Sequence, residues 1–250
     1  MKYFIDTEFL EGPQKEKFPI SLFRKQTPNT IDLISIGIAA EDGREYYAIS
    51  KDFNLEEAWN RYDLKPITGS GDANNLPPTK EYWIRENVLK PIWEELNINH
   101  SYPFKYKFLK RLINKYGKTN QQISREIVGF IYPNALYNNL ECKISDMVLT
   151  NCADSEKPEF YAYYADYDWV VFCWLFGKMI DLPNGFPMYC IDLKQMLDEI
   201  GKLKYGNRFN YDEMVNHIKN NPTYPKQTND HHALSDARWN KKSHEFLSSL

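Results

Sequence analysis

Cysteine is scarce in this chain. Cys142, Cys152, Cys173 and Cys190 are spread through 250 residues without a Cys-x-x-Cys pair. That spacing argues against structural zinc and against a disulfide framework, and it fits reduced thiols in a cytosol. Long apolar runs are missing too. None approaches the roughly 18 residues that span a bilayer, so no membrane partner is expected. The N-terminus enters strand-like sequence at once, without the apolar core of a signal peptide; the expected compartment is the cytoplasm. Excess positive charge is also lacking. The formal charge of −3 gives no global attraction for a polyanion and leaves that question to local basic patches. There is no internal repeat and no low-complexity segment. What the chain has in quantity is apolar and aromatic side chains, 42% and 15% of residues, enough for a sizeable core. The length allows one large domain or two small ones, and residues 1–250 are read as a single domain.

The pattern alternates between strand and helix signals. Tyr3 to Ile5 reads as a short strand, and Ile31 to Ala40 as a second, rich in β-branched residues. Asp42-Gly43 before Arg44 to Ile49 is a hairpin signal. Residues 11–30 form a long, partly basic loop. Asn54 with Glu57 starts a helix that continues to about Asn60. Residues 61–80, with Pro66, Gly69, Gly71, Pro77 and Pro78, read as an irregular excursion. Val88, Leu89, Ile92, Trp93 and Leu96 recur at helical spacing, with Pro91 expected to kink or split the helix. Thr119 and Gln122 form a capping box for the helix carrying Ile123, Ile127, Val128 and Ile131. Residues 132–157 show no periodicity. Phe160 to Ala165 is strand-like, Trp169 to Met179 a buried helix, Met188 to Ile191 a short strand. Asp192 caps a helix from Leu193 to Ile200, and Ala233 to Leu250 closes the chain. This order predicts an α/β fold: a mixed sheet flanked by helices.

Three acidic clusters punctuate these elements. Asp6 and Glu8 stand two apart on the first strand, which turns both carboxylates to one face. Asp166 and Asp168 lie between a strand and a helix, and spacing alone does not choose between them. His231 precedes Asp236 by five residues. About 100° per helical residue would set the two on different faces, so the histidine belongs in the preceding loop and Asp236 in the first turns. Two carboxylates ~4 Å apart repel by about 4 kcal/mol at an effective dielectric near 20. A bound divalent cation reverses that sign. Oxygen ligands without cysteine favour magnesium or manganese over zinc. Two such ions can activate a water and stabilise the leaving oxygen of a phosphodiester, and a nearby imidazole, a group that titrates near ~6.5 in model peptides, can take the water's proton. Taken singly, each cluster is commonplace; their order and spacing carry the reading.

Asp6-Thr7-Glu8, Tyr167-Asp168 and His231-His232-Ala233-Leu234-Ser235-Asp236 resemble the three motifs of the DEDDh 3′–5′ exonucleases, the superfamily of ribonuclease T and the polymerase III proofreading subunit. The opening Tyr3 to Phe9, Ile34-Ser35-Ile36-Gly37 and Glu41 to Tyr47 are similar to the small 3′–5′ exoribonucleases of mycobacterial type. The match covers roughly residues 1–10, 31–55, 83–92, 119–131, 158–200 and 228–250. The resemblance implies an RNase H-like five-stranded sheet of order 3-2-1-4-5 with strands 1–3 antiparallel. It implies two Mg2+ ions, replaceable by Mn2+, on Asp6, Glu8 and Asp236, with Asp168 contributing directly or through water. It favours Asp168 over Asp166, assigns His231 as general base and makes His232 a bystander. Thr7 and Phe9 fall at the substrate, where Phe9 either stacks on the terminal base or is plain core. The implied partner is nucleic acid, as single-stranded RNA or RNA 3′ overhangs, with nucleoside 5′-monophosphates as products and a homodimer as one arrangement. Segments near 11–30, 61–80, 93–118 and 132–157 exceed the compact family pattern.

Residues 104–118 contain six basic residues and no acid. Phe104, Phe108, Leu109, Leu112, Ile113 and Tyr116 sit at helical spacing, which leaves Lys107, Lys110 and Arg111 on other faces. Those three are candidates for contacting a nucleic-acid backbone; a solvated helix face is the plainer reading. Two alternatives to an exoribonuclease stand beside it: a 3′–5′ DNA exonuclease, and a non-catalytic nucleic-acid-binding protein of the same fold. The second would be expected to have lost some of the five polar positions, and all five are present.

Overall fold

The computed structural model describes residues 1–15, 25–66, 78–133, 157–206 and 208–250. Its centre is a five-stranded mixed sheet in the order β3-β2-β1-β6-β7, the arrangement expected for an RNase H-like fold. β1 (Lys2–Gly12) lies in the middle. It pairs antiparallel with β2 (Thr30–Ala40), which pairs antiparallel with β3 (Glu45–Ile49) across the Asp42-Gly43 turn, where Gly43 has φ 92°. On its other side β1 pairs parallel with β6 (Glu159–Ala162), and β6 with β7 (Ile191–Asp192). A central strand covered on both faces needs no polar alternation, and Tyr3, Phe4 and Ile5 are all buried.

The two faces of β1 have different neighbours. Tyr3 and Ile5 join Ile36, Ile38 and Phe160 in a core built with α4 (Asn120–Ile131) and α5 (Ala165–Trp174). Phe4 turns the other way and packs with Ala39 of β2, Leu193 of α6 (Leu193–Tyr205) and Ala237 of α8 (Ala233–Ser249). By strand alternation Asp6 and Glu8 share the α8 side, and Thr7 the α5 side. A second core, with Leu10 and Ile34, is filled by α1 (Leu55–Asn60), by α2 (Lys90–Leu96) with its preceding π-turn (Arg85–Leu89), and by α3 (Tyr106–Tyr116).

Several expectations hold locally. Asn54 accepts from the Glu57 N–H, the Thr119/Gln122 capping box forms, and Pro91 sits in the first turn of α2, where the π-turn gives way to α-helix. Others are corrected. β1 does not stop at Ile5 but runs to Gly12, with a register shift between Glu8 and Phe9; pairing with β2 carries the acidic residues along. α5 begins at Ala165 and ends at Trp174, before Gly177 with φ 114°. Met188 and Tyr189 are exposed, and the last strand is Ile191–Asp192, paired only to Tyr161 and Ala162. α6 continues to Tyr205. A helix absent from the expectations, α7 (Tyr211–Lys219), opens on an Asn210/Glu213 capping box. Within 61–80, β4 (Asp63–Lys65) and β5 (Thr79–Glu81) make an exposed antiparallel ribbon, and residues 67–77 lie outside those described. So do residues 16–24 of the first loop and 134–156 of the aperiodic segment.

Candidate metal and active site

Asp6 pairs in register with Gly37 of β2, and that glycine decides how close α8 can come. A Cβ built on Gly37 would lie 2.4 Å from the Ala233 carbonyl and the Leu234 Cα. The first turn of α8 therefore rests on bare strand backbone beside Asp6. Asn240, buried one turn beyond Asp236, donates from its Nδ2 to the Ile5 carbonyl at 2.8 Å and fastens the helix to β1. The result brings carboxylate oxygens of Asp6, Glu8 and Asp236 within 4.8 Å of one another.

The chain enters α8 through a constrained loop. Asn229 and His231 take left-handed backbone, φ 54° and 66°. The His231 N–H donates to Asp236 Oδ2 at 2.9 Å, and Gln227 Nε2 to Oδ1 at 2.7 Å. The His231 imidazole stands edge-on to Trp83, centroids 4.7 Å apart, and both line the cleft. His232, read from the sequence as a bystander, has structural work: Nδ1 accepts the Ser235 N–H at 3.4 Å, Nε2 lies 3.2 Å from Glu95, and the ring stacks on Tyr47 at 4.8 Å.

Asp168 arrives from the opposite face of β1, on the first turn of α5. It is buried, and its Oδ1 accepts from the Thr7 N–H at 2.7 Å and the Thr7 hydroxyl at 2.6 Å. Asp166 is exposed. Position thus separates the pair that spacing could not. Asp168 falls outside the trio of closely spaced carboxylates but is electrostatically joined to it. Burial, then Asp168, Glu8 and Asp236, push Asp6 well above the usual carboxylate range. Burial, then Asp236 and Asp168, push Glu8 up to about 8. Burial raises Asp168 to about 7 against the lowering pull of the Thr7 hydrogen bonds, and burial raises Asp236 against its bonds from Gln227 and the His231 N–H. Clustered carboxylates that resist ionisation for want of a counter-charge fit a hard divalent cation, and the donor set is all oxygen.

These groups open into a cleft of ≈ 1120 Å³ that also takes in Thr7, Phe9, Trp83, Tyr167 and Asn240. Phe9 meets Tyr167 with centroids 5.6 Å apart. Arg61, ion-paired with Glu57 at 3.3 Å, and Lys219 line the cleft as well, beside Glu11 and Asp63. Lys107, Lys110 and Arg111 are exposed on α3 as the spacing implied, with Leu109, Leu112 and Ile113 buried beneath, but none of the three lines this cleft. Each lies over an aromatic ring of its own segment, Phe108, Tyr106 and Tyr102 respectively. Gly37, Gln227, Asn240 and Trp83 escaped the site reading. The four-residue step from Asp236 to Asn240 was a usable signal; Gln227 and Trp83 carried none.

No protein-family model matches the chain. Two known proteins are similar to it: 3′–5′ exoribonucleases of Mycobacterium tuberculosis, from strains CDC 1551 / Oshkosh and ATCC 25618 / H37Rv. Each is 26% identical over 203 residues, spanning 80% of this chain and 76% of the relative. The relationship is distant and extends over most of both chains. No helix among the described residues is long and apolar enough to cross a membrane.

Proposed function

We propose that this protein is a metal-dependent exonuclease of the DEDDh type that removes nucleoside 5′-monophosphates from the 3′ end of RNA. The observation that carries the reading is the approach of Asp6, Glu8 and Asp236 within 4.8 Å at the floor of an open cleft. The distant likeness to proteins named 3′–5′ exoribonucleases supports the direction and the choice of RNA. Asp6, Glu8 and Asp236 would hold two Mg2+ ions, with Asp168 completing the set directly or through water. When bound, such ions supply the charge that activates a water and steadies the leaving oxygen.

The chain's own groups do the rest. Thr7 fixes the Asp168 carboxylate by two hydrogen bonds. The His231 backbone and Gln227 each occupy one oxygen of Asp236 and set its orientation. The His231 imidazole, exposed to the cleft and backed by Trp83, takes the proton from the attacking water. Phe9 presents a ring to the terminal base. Lys107, Lys110 and Arg111, off the cleft, remain candidates for backbone contacts farther along a longer strand.

The test is incubation with 5′-labelled single-stranded RNA and DNA, with Mg2+, Mn2+ or chelator, beside Asp6→Ala. Stepwise 3′ shortening of RNA that needs metal and Asp6 is the expected result. Faster shortening of DNA transfers the activity to the deoxy substrate, and binding without shortening overturns the catalytic reading.

A further inference from the structure

α5 is apolar on nearly every side, the composition of a helix without a solvent face. Its inner faces are filled: Trp169, Val171, Phe172 and Cys173 are buried. Its outer face carries one exposed carboxylate, Asp166, and is otherwise not polar. Tyr167, Val170 and Trp174, spaced by three and four residues and so aligned along one side, stand 52%, 38% and 51% exposed. The strip is continuous with the carboxylate cleft. Tyr167 and Trp174 both line it, Tyr167 follows the Phe9 ring at 5.6 Å, and Tyr167 is the residue next to Asp168.

Exposed rings leading out of a phosphodiester-cleaving centre suit one ligand, the unpaired bases of a single strand, which stack on aromatic faces whatever their sequence. The spacing agrees. Seven residues of α-helix advance about 10 Å, which sets Trp174 beyond the two 3′-terminal nucleotides. We propose that Tyr167, Val170 and Trp174 form a track for the bases upstream of the scissile nucleotide, with Trp174 stacking on a base beyond the two at the 3′ end. The inference rests on the proposed function and adds a subsite to it. The preferred ligand is a single strand longer than two nucleotides, over dinucleotides and over blunt duplexes, whose paired bases cannot reach the track.

The experiment is fluorescence anisotropy with 5′-labelled single-stranded RNA of two and six nucleotides, in chelator so that binding is read without cleavage. It compares the wild type with Trp174→Ala and Trp174→Phe. Loss of one base stack weakens binding by roughly tenfold. Trp174→Ala is therefore expected to raise Kd for the hexanucleotide by about that factor. Trp174→Phe should restore most of the affinity, and the dinucleotide should be unaffected by either change. Equal losses for both lengths, no loss for either, or no hexanucleotide binding by the wild type overturns the track. So does a dimer that Trp174→Ala dissociates while hexanucleotide affinity stays unchanged, since the strip would then be a protein interface. If the length-dependent result is obtained and Mg2+ still produces no 3′ shortening, the track stands and the catalytic reading alone fails.

Discussion

Single atoms decide whether the site assembles. Gly37 lacks the Cβ that would stand 2.4 Å from the α8 backbone. Gly37→Ala is expected to push α8 off the strand, to destabilise the protein by about 1–3 kcal/mol as overpacking does, and to separate Asp236 from Asp6. Urea unfolding and Mn2+ affinity should both register it; unchanged metal affinity would show that α8 is not positioned by this contact. Thr7→Val removes one of two hydrogen bonds to Asp168 at almost constant volume. A hydrogen bond to a charged group contributes roughly 1.5–3 kcal/mol, and a loss of that order in stability above pH 7 is the expected outcome of urea titration. The sequence disclosed Asp6 and Glu8 because their relation is local: two residues apart on a strand share a face. It could not separate Asp168 from Asp166, because what distinguishes them is a partner, Thr7, more than 150 positions away.

At the level of elements, each site carboxylate is delivered by the first turns of a helix or the middle of a strand. α8 begins at a histidine cap, and His232 also reaches Glu95 and Tyr47. His232→Ala should cost about 0.5–2 kcal/mol, the usual range for a lost N-cap. It should also lower kcat more than it raises KM, because the loop it anchors carries His231. Equal kcat in a variant with the expected stability loss would confine His232 to capping. Elements with a local signature were legible: the Asp42-Gly43 hairpin, the Asn54 and Thr119 caps, the start of α8 at Ala233. Those without one were not. β7 is two residues long and exists through pairing with β6. β4 and β5 bury no apolar row, so no periodicity announced them. α7 was overlooked although Asn210 and Glu213 spell a capping box. The basic helix was read correctly as amphipathic, but its sequence could not say that the cations would fall outside the cleft.

For the molecule as a whole, the carboxylate cluster sets a link between pH, metal and stability. Glu8 rises from 4.5 to about 8 and Asp168 from 3.8 to about 7, and Asp6 and Asp236 move the same way. Between the unfolded and folded values the native state keeps protons that the unfolded chain has released, so its stability falls as pH rises. Without metal, the protein should be less stable at pH 8 than at pH 5. The lowered His244 opposes this with one group against four. Mg2+ held as proposed would bind the ionised cluster, so its stabilisation, about 2.7 kcal/mol at a hundred times Kd, should grow from pH 5 to pH 8. A thermal shift on adding Mg2+ that is equal at both pH values would break the link.

The proposed function depends on Asp6, Glu8 and Asp236 in the cleft holding a divalent ion. Calorimetric titration of Mn2+ into the wild type, Asp6→Asn and Asp236→Asn at pH 7.5 tests that directly. The account predicts saturable binding to the wild type and a loss of at least about tenfold in each variant, the order seen when a ligand's support is removed. Binding that is absent from the wild type, or unchanged in both variants, would contradict it.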